Sequence, residues 1–445
     1  MDCITSTWFS LKINGDTVGF FKGECGLRQG DPLSPFLFVM SMEILSRLLR
    51  CMHSKRQVSY HPKCGRLGLN HLIFADDLML FVRGDVPSVK AATQTLDEFA
   101  QLSGLYANPD KTNIYMGGVS AGVQEAILEE TKFVQGEFPF RYLGVPLNEG
   151  RLNKEMFADL LNNIQKALHH WANYRLSYAG KLSLINTVIF GLEQFWCSTL
   201  LIPKGVIKLV TKFCRQFLWG TEEGQRKLIM KSWSSCCKPH VEGGFNIKEV
   251  LAWNKCLLCQ DILLAKTGGV DHARALLKSC VAGGKLQLSL IYEQLRDHDH
   301  RISWEKTVWN KVALPKHSVL VVLAMQHKLA TMDNLNHRGL HIVNRCILCK
   351  ADNESHQHLF FRCQFVASIW HRLLHWLKLR GRTECLKREL HWLAGRRNRR
   401  HWKAQWISSC LTALTYSISE ERNSRIFRDV EYNEDYIVRR VQYLV

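Results

Sequence analysis

At 445 residues and 46% hydrophobic content, the chain is too apolar for general disorder and long enough for about two to four domains with cores of their own. Its 59 lysines and arginines against 40 acids leave a net charge of +19, a surplus that points to a polyanionic partner such as nucleic acid. No stretch approaches the roughly 18 apolar residues of a membrane span, Val319 to Met325 being far shorter. The N-terminus lacks the basic-then-apolar layout of a secretory signal, and 16 irregularly scattered cysteines argue for reduced thiols in an intracellular compartment.

In chain order, the first informative segment is Gly26-Leu27-Arg28-Gln29-Gly30-Asp31-Pro32-Leu33-Ser34-Pro35, a glycine-punctuated loop. It feeds a helix with Ser34 as N-cap and Pro35 at the first helical position. Next comes Leu72-Ile73-Phe74-Ala75-Asp76-Asp77-Leu78-Met79-Leu80-Phe81-Val82. Two short apolar runs around a tight polar turn predict a pair of buried strands with Asp76 and Asp77 forced together at one sheet edge. Adjacent carboxylates in that setting need a compensating cation. Mg²⁺ fits, because it takes hard oxygen ligands from one or two carboxylates plus substrate phosphates, and paired ions can clamp the attacking and leaving oxygens of phosphoryl transfer. Nucleotidyl transfer is the chemistry this implies. Two further segments follow, Gly104-Leu105-Tyr106-Ala107-Asn108-Pro109-Asp110-Lys111-Thr112 and Phe140-Arg141-Tyr142-Leu143-Gly144-Val145-Pro146-Leu147.

Beyond Leu147 the pattern turns to helical periodicity, with Phe157, Leu160, Leu161, Ile164 and Leu168 at three- and four-residue intervals. Among the 13 tryptophans, Trp196 and Trp219 lie in apolar segments and read as core. Near the C-terminal third stand Cys346 and Cys349, then His356 and His358, then Cys363. Two thiolates two residues apart, an imidazole and a last thiolate supply the four ligands of a closed tetrahedral zinc site. With His358 as ligand the gaps are two, eight and four residues, and His356 is the rival imidazole. Cys256 and Cys259, and the set Cys236, Cys237 and His240, lack a complete ligand complement and read as packing. The basic run Arg396-Arg397-Asn398-Arg399-Arg400 suits a nuclear address or a phosphate contact, which makes the nucleus the expected location.

The ordered series from the Gly26 loop through Phe74 to Asp77, Lys111 and Tyr142 to Gly144 resembles the reverse transcriptase of non-LTR (LINE-type) retrotransposons, most closely the plant branch. The resemblance implies an α+β fold. A partial polymerase palm and fingers, an antiparallel sheet with helices, spans residues 1–147 and a helical thumb-like region 148–268. A connector at 269–303, a reverse-transcriptase zinc-binding domain at 304–376 and a basic helical tail at 377–445 follow. It places Arg28, Gln29, Gly30, Asp31, Phe74 and Ala75 against template and nucleotide, and Asp76 and Asp77 on Mg²⁺. Lys111 falls near the nucleotide phosphates, and Tyr142, Leu143 and Gly144 form the primer grip. Cys346, Cys349, His358 and Cys363 coincide with that family's structural Zn²⁺ ligands. The implied partners are an RNA template and a DNA primer or target, with no membrane and no fixed oligomeric state. Lys181, Lys204, Lys208, Lys212 and Arg215 would meet phosphates in the thumb, and Lys350, Arg362 and Arg372 would meet them in the zinc module. The stretch Leu176 to Leu182, Gly243 to Ile247, and a late helix ending Glu421-Arg422-Asn423-Ser424-Arg425-Ile426-Phe427 resemble the same plant elements.

These polymerases carry a further metal-binding aspartate on a strand upstream of the glycine loop, and neither Asp2 nor Asp16 substitutes for it. The expectation is therefore a truncated polymerase remnant, inactive alone because two-metal catalysis lacks a bridging ligand. A non-catalytic RNA- or DNA-binding module is the alternative for residual function. A further alternative is an interaction protein associating through an exposed palm edge. Neither a ribonuclease H acid set in the tail nor an endonuclease-like N-terminus is expected. Domain boundaries are expected near Gly117-Gly118, Gly144 to Gly150, Gly268-Gly269, Gly283-Gly284 and Leu379 to Arg382.

Overall fold

The structure is a computed structural model that describes residues 7–23, 26–55, 58–220, 229–265, 280–282, 285–379, 385–395 and 402–445. Asp2, Gly268-Gly269, Gly283-Gly284, the basic run Arg396 to Arg400 and most of the 379–382 boundary lie outside the described residues. The chain divides into two compact units, Met1–Arg151 and Leu152–Val445. Both mix helices with small sheets, four of the described two-stranded sheets being antiparallel and one parallel.

In the first unit, strands β1 (Trp8–Ile13) and β2 (Asp16–Lys22) form a hairpin whose Asn14 and Gly15 both have positive φ, 51° and 98°, as a two-residue primed turn demands. Helix α1 (Ser34–Lys55) and helix α2 (Val86–Ser103) pack together around buried Leu45, Leu49 and Phe99. Asp85 caps α2 by accepting the Ser88 amide at 2.8 Å, and Gly104 closes it at φ 73°. Between them runs the hairpin of β3 (His71–Phe74) and β4 (Asp77–Leu80), whose Ile73, Leu78 and Leu80 rest on that core. Later come the parallel pair β5 (Asn113–Ile114) and β6 (Val134–Gln135) and the hairpin β7 (Phe140–Tyr142) and β8 (Val145–Leu147). Tyr115 stacks on Phe140 with centroids 3.8 Å apart and ties the two sheets.

Two expectations need correction here. The β3–β4 strands are not buried: Leu72 and Phe74 are 41% and 62% exposed, because among the described residues β3 and β4 pair only with each other and α1 and α2 cover one face. Ser34 is not a cap. It is the first residue of α1 and its hydroxyl donates to the Arg28 carbonyl at 2.7 Å, while Asp31 Oδ1 accepts the Leu33 amide at 2.8 Å and shapes the helix entry.

The second unit is built around one large core. Helix α3 (Ala158–Ala172) buries Leu160, Leu161, Ile164 and Leu168 along the predicted stripe, with Phe157 buried just before it. Helix α4 (Phe190–Thr199) and helix α5 (Lys204–Trp219) join it, burying Trp196 and Trp219. Helix α5 buries Val206, Val210 and Cys214 and leaves Lys204, Lys208 and Lys212 exposed at successive four-residue steps. The pair Gly243-Gly244 is required twice over. Gly243 sits at φ 78° and its carbonyl accepts Lys231 Nζ at 2.5 Å and Gln326 Nε2 at 2.9 Å. A Cβ on Gly244 would lie 1.7 Å from the Lys238 carbonyl oxygen. Helix α6 (Val250–Ala265) buries Cys256, whose Sγ donates to the Leu288 carbonyl at 3.3 Å. Helix α7 (Pro315–Met325), helix α8 (Gln364–Trp376), helix α9 (Trp402–Phe427) and helix α10 (Glu434–Leu444) complete the core. Among the described residues no helix is long and apolar enough to cross a membrane.

Candidate metal centres and polymerase motifs

The acidic hairpin turns in two residues, Ala75 and Asp76, since Phe74 pairs with Asp77. Ala75 takes φ 52° there, a left-handed conformation that costs an alanine about 1–2 kcal/mol. Such strain persists only where the surroundings hold it, and it concentrates at functional turns. A polar chain docks the hairpin on α1. His71 Nε2 meets Ser46 Oγ at 2.8 Å, His71 Nδ1 meets Asn70 Oδ1 at 2.6 Å, and Asn70 Nδ2 donates to the Leu49 carbonyl at 2.7 Å. Burial lowers the His71 pKa, so the neutral ring donates to Asn70 and accepts from Ser46. Sequence reading missed this anchor, although the Asn70-His71 pair opening an apolar run was visible in it.

Asp76 and Asp77 are both exposed at the tip. Tyr142, at the end of β7, lies close enough that after burial the Asp77 carboxylate is the second cause raising its phenol pKa. The β7–β8 turn, Leu143-Gly144, has φ 49° and 81°, a second two-residue primed turn with a non-glycine residue under strain. The Asp77 charge is thus felt at Tyr142. Arg28, Gln29 and Gly30 are exposed, Asp31 is half-buried at the start of α1, and Lys111 is exposed in a turn whose amide donates to the Asn108 carbonyl. Among the described residues no third histidine, cysteine or acid joins Asp76 and Asp77 in a metal-binding group.

The ligand atoms of Cys346, Cys349, His358 and Cys363 all lie within 4.8 Å of one another. Cys346 Sγ and Cys363 Sγ are 4.0 Å apart, and Cys349 Sγ and His358 Nε2 are 3.3 Å apart. Four ligands on a tetrahedral zinc, at about 2.3 Å for sulfur and about 2.05 Å for nitrogen, stand roughly 3.8 Å and 3.6 Å from each other. The donors are therefore already gathered at metal-binding separations. Local backbone makes this possible. Lys350 at φ 56° turns the chain so that its amide donates to the Cys346 carbonyl at 2.8 Å, and the Cys346 amide donates to the Asp352 carbonyl at 2.8 Å. Phe361 at φ 81° breaks the helical turn after His358, and the Cys363 amide then returns to the His358 carbonyl at 2.7 Å. The Cys346 thiol is pulled down to about 5, first by its hydrogen bond with Cys363, whose own pKa rises in return. Asp352 stands 3.7 Å from His358 Nδ1, the place where a carboxylate fixes the tautomer of a ligating imidazole.

His356 does not join this group. Its Nε2 accepts the Leu329 amide at 3.1 Å and its Nδ1 meets Thr331 Oγ1 at 3.1 Å, so both nitrogens serve the 329–331 segment. His240 instead stacks on Trp309 with centroids 3.8 Å apart, and Cys236 and Cys237 are buried in the core. The expected phosphate contacts of the zinc module fare differently from one another. Lys350 pairs with Glu431 at 2.9 Å and Arg372 with Asp435, whereas Arg362 is exposed.

An acidic two-residue hairpin turn and a Cys₃His group with metal-binding separations thus stand on one chain. Comparison with known families agrees: residues 1–147 match the reverse transcriptase (RNA-dependent DNA polymerase) family, and residues 287–370 match the zinc-binding domain found in reverse transcriptases. The chain thus carries one segment similar to reverse transcriptases and one similar to their zinc-binding domain, and relatives it resembles include Pol polyproteins of retrotransposable elements. It is 26% identical over 178 residues, 38% of this chain and 28% of the relative, to the Pol polyprotein of the type-1 retrotransposable element R2 of Popillia japonica. It is 34% identical over 169 residues, 35% of this chain and 15% of the relative, to the Pol polyprotein of the type-2 element R2DM of Drosophila melanogaster. It is also 29% identical over 114 residues, 26% of this chain and 18% of the relative, to an Arabidopsis thaliana protein provisionally named a ribonuclease H protein. The chain spans 15% to 28% of the length of these three relatives.

Proposed function

We propose that this chain serves RNA-directed DNA synthesis, with Asp76 and Asp77 as its contribution to a Mg²⁺ site and with an RNA template and a DNA primer or target as its partners. The observation that carries this reading is the strained two-residue turn that sets both carboxylates, exposed, at the tip of one hairpin. Mg²⁺ bound there would neutralise charge on the attacking and leaving oxygens of nucleotidyl transfer. The residues of this chain do the rest. Asp77 and Asp76 hold the site, Tyr142 to Gly144 position the primer end, the Arg28 to Asp31 loop with Phe74 and Ala75 lines the nucleotide side, and Lys111 offsets phosphate charge.

Because no third acid, histidine or cysteine stands with Asp76 and Asp77 among the described residues, we place residual function in nucleic-acid binding rather than in unaided polymerisation. Exposed Lys204, Lys208 and Lys212 on α5 support a phosphate-binding face. So does the run from Asn334 to Ala351, which carries Arg338 and Arg345 and no acid. The Cys₃His group holds a structural Zn²⁺, and a nuclear location goes with this role. The test is primer extension on an RNA template with Mg²⁺, run beside Asp76→Asn, Asp77→Asn, together with equilibrium binding of the same primer–template. Binding without extension by folded wild-type protein is the expected result. Extension that the double substitution abolishes would show that the chain completes its own site, and absence of binding at low salt would remove the reading.

A further inference from the structure

The matched zinc-binding domain ends at residue 370, yet the structure carries the support of the metal loop well past it. Helix α9 ends on Glu421-Arg422-Asn423-Ser424-Arg425-Ile426-Phe427, and both arginines of this segment are buried, at 7% and 9% exposure. Arg425 Nη1 donates to the carbonyls of Ile347 at 3.5 Å and Leu348 at 3.3 Å, the two residues between Cys346 and Cys349. Its Nε donates to Glu421 Oε1 at 2.6 Å and its Nη2 to the Tyr432 carbonyl at 3.1 Å. Glu421 Oε1 also accepts the Tyr432 amide at 2.9 Å, and the guanidinium lies 4.8 Å from the centroid of the Phe365 ring. One edge of a fully engaged guanidinium is thus turned to the backbone that aims two metal-ligating thiolates.

Arg425 is itself ion-paired, its Nε with buried Glu421 at 2.6 Å and its Nη1 3.7 Å from Glu431, so what it offers the metal loop is the aim of its hydrogen bonds and not spare charge. We infer that Arg425 is a positioning residue of the zinc site: it fixes the Cys346–Cys349 loop through the Ile347 and Leu348 carbonyls, so that the metal-binding unit extends through the end of α9. This rests on the reading of Cys346, Cys349, His358 and Cys363 as zinc ligands. Partners one step removed from a metal change its affinity about 10–100-fold.

Zinc affinity of the full chain, measured by chelator competition, and the thiolate charge-transfer band of the cobalt-substituted protein test this. Arg425→Met is expected to weaken zinc about tenfold or more and to shift the cobalt band, and Arg425→Lys, which keeps the charge without the fork, to weaken it several-fold. Arg440→Met, which removes the partner of Glu420 on the same helix pair, should leave affinity within about twofold. Wild-type affinity in both Arg425 variants, or an equal loss in Arg440→Met, overturns the inference. A wild-type chain with no stoichiometric zinc and no cobalt–thiolate band overturns the underlying zinc reading instead.

Discussion

Glu354 and Arg422, 68 positions apart, form a buried ion pair joined by hydrogen bonds of 3.2, 3.1 and 2.8 Å. Glu354 is fully buried and its Oε1 also accepts the Met332 amide at 2.8 Å, so the pair pins the end of α9 to the segments on either side of the metal loop. Removing one partner strands the other charge away from water. Arg422→Met should cost about 3–5 kcal/mol in urea unfolding, whereas the double change Glu354→Leu, Arg422→Met should recover most of that loss. Additive losses in the double variant would contradict this account of the pair.

Zinc removal should act on stability before it acts on anything else. Metal binding contributes folding free energy where the ligands are otherwise held only by weak thiol contacts. Cys346→Ser with Cys349→Ser, or chelation of the wild type, should raise hydrogen exchange across residues 346–363 and the end of α9 while leaving α3 and α5 protected. Uniform exchange across the second unit would instead mean that the module does not open on its own.

Glu193 sits inside the helical core at 2% exposure, with its Oε2 lacking a hydrogen-bond partner, and burial raises its pKa to about 8. Its folded pKa lies above the unfolded one, so the group is neutral in the fold and folding loses stability as pH rises from the unfolded carboxyl range toward 8. Glu193→Gln keeps the neutral shape. It should match the wild type near pH 4 and be more stable by a few kcal/mol, about 2–3, at pH 7. A difference that is constant with pH would show that the carboxyl is hydrated or paired.

Lys204, Lys208 and Lys212 present three cations along one exposed line of α5. Replacing all three by Gln should weaken duplex binding at low salt and flatten the plot of log K against log salt by about 2–3. Affinity and slope equal to wild type would move the phosphate-binding face elsewhere.

Much of this architecture is legible in the chain. The Asn14-Gly15 turn, the 157–168 stripe and the Cys/His spacing each follow from local rules, because each depends on residues close in sequence. What escaped depends on distant partners. His358 and His356 were equivalent by spacing, and only the Leu329 amide and Thr331 hydroxyl assign His356 to another task. Lys350 and Arg372 resembled phosphate contacts until Glu431 and Asp435, over sixty residues on, were seen to occupy them. Nothing local marks Arg422 and Arg425 as buried, since buried cations look like exposed ones in sequence. The bare face of β3–β4 was invisible for the opposite reason: an apolar strand is written the same way whether or not anything covers it.

The carboxylate pair is tested most directly by replacing Mg²⁺ with Fe²⁺ in the presence of primer, template and nucleotide, generating hydroxyl radicals, and mapping backbone cleavage. A metal held by Asp76 and Asp77 predicts cuts within the 73–79 turn and near Tyr142, both lost in Asp76→Asn, Asp77→Asn. Cleavage absent from that turn, or unchanged in the double variant, would contradict the assignment of a metal site to this hairpin.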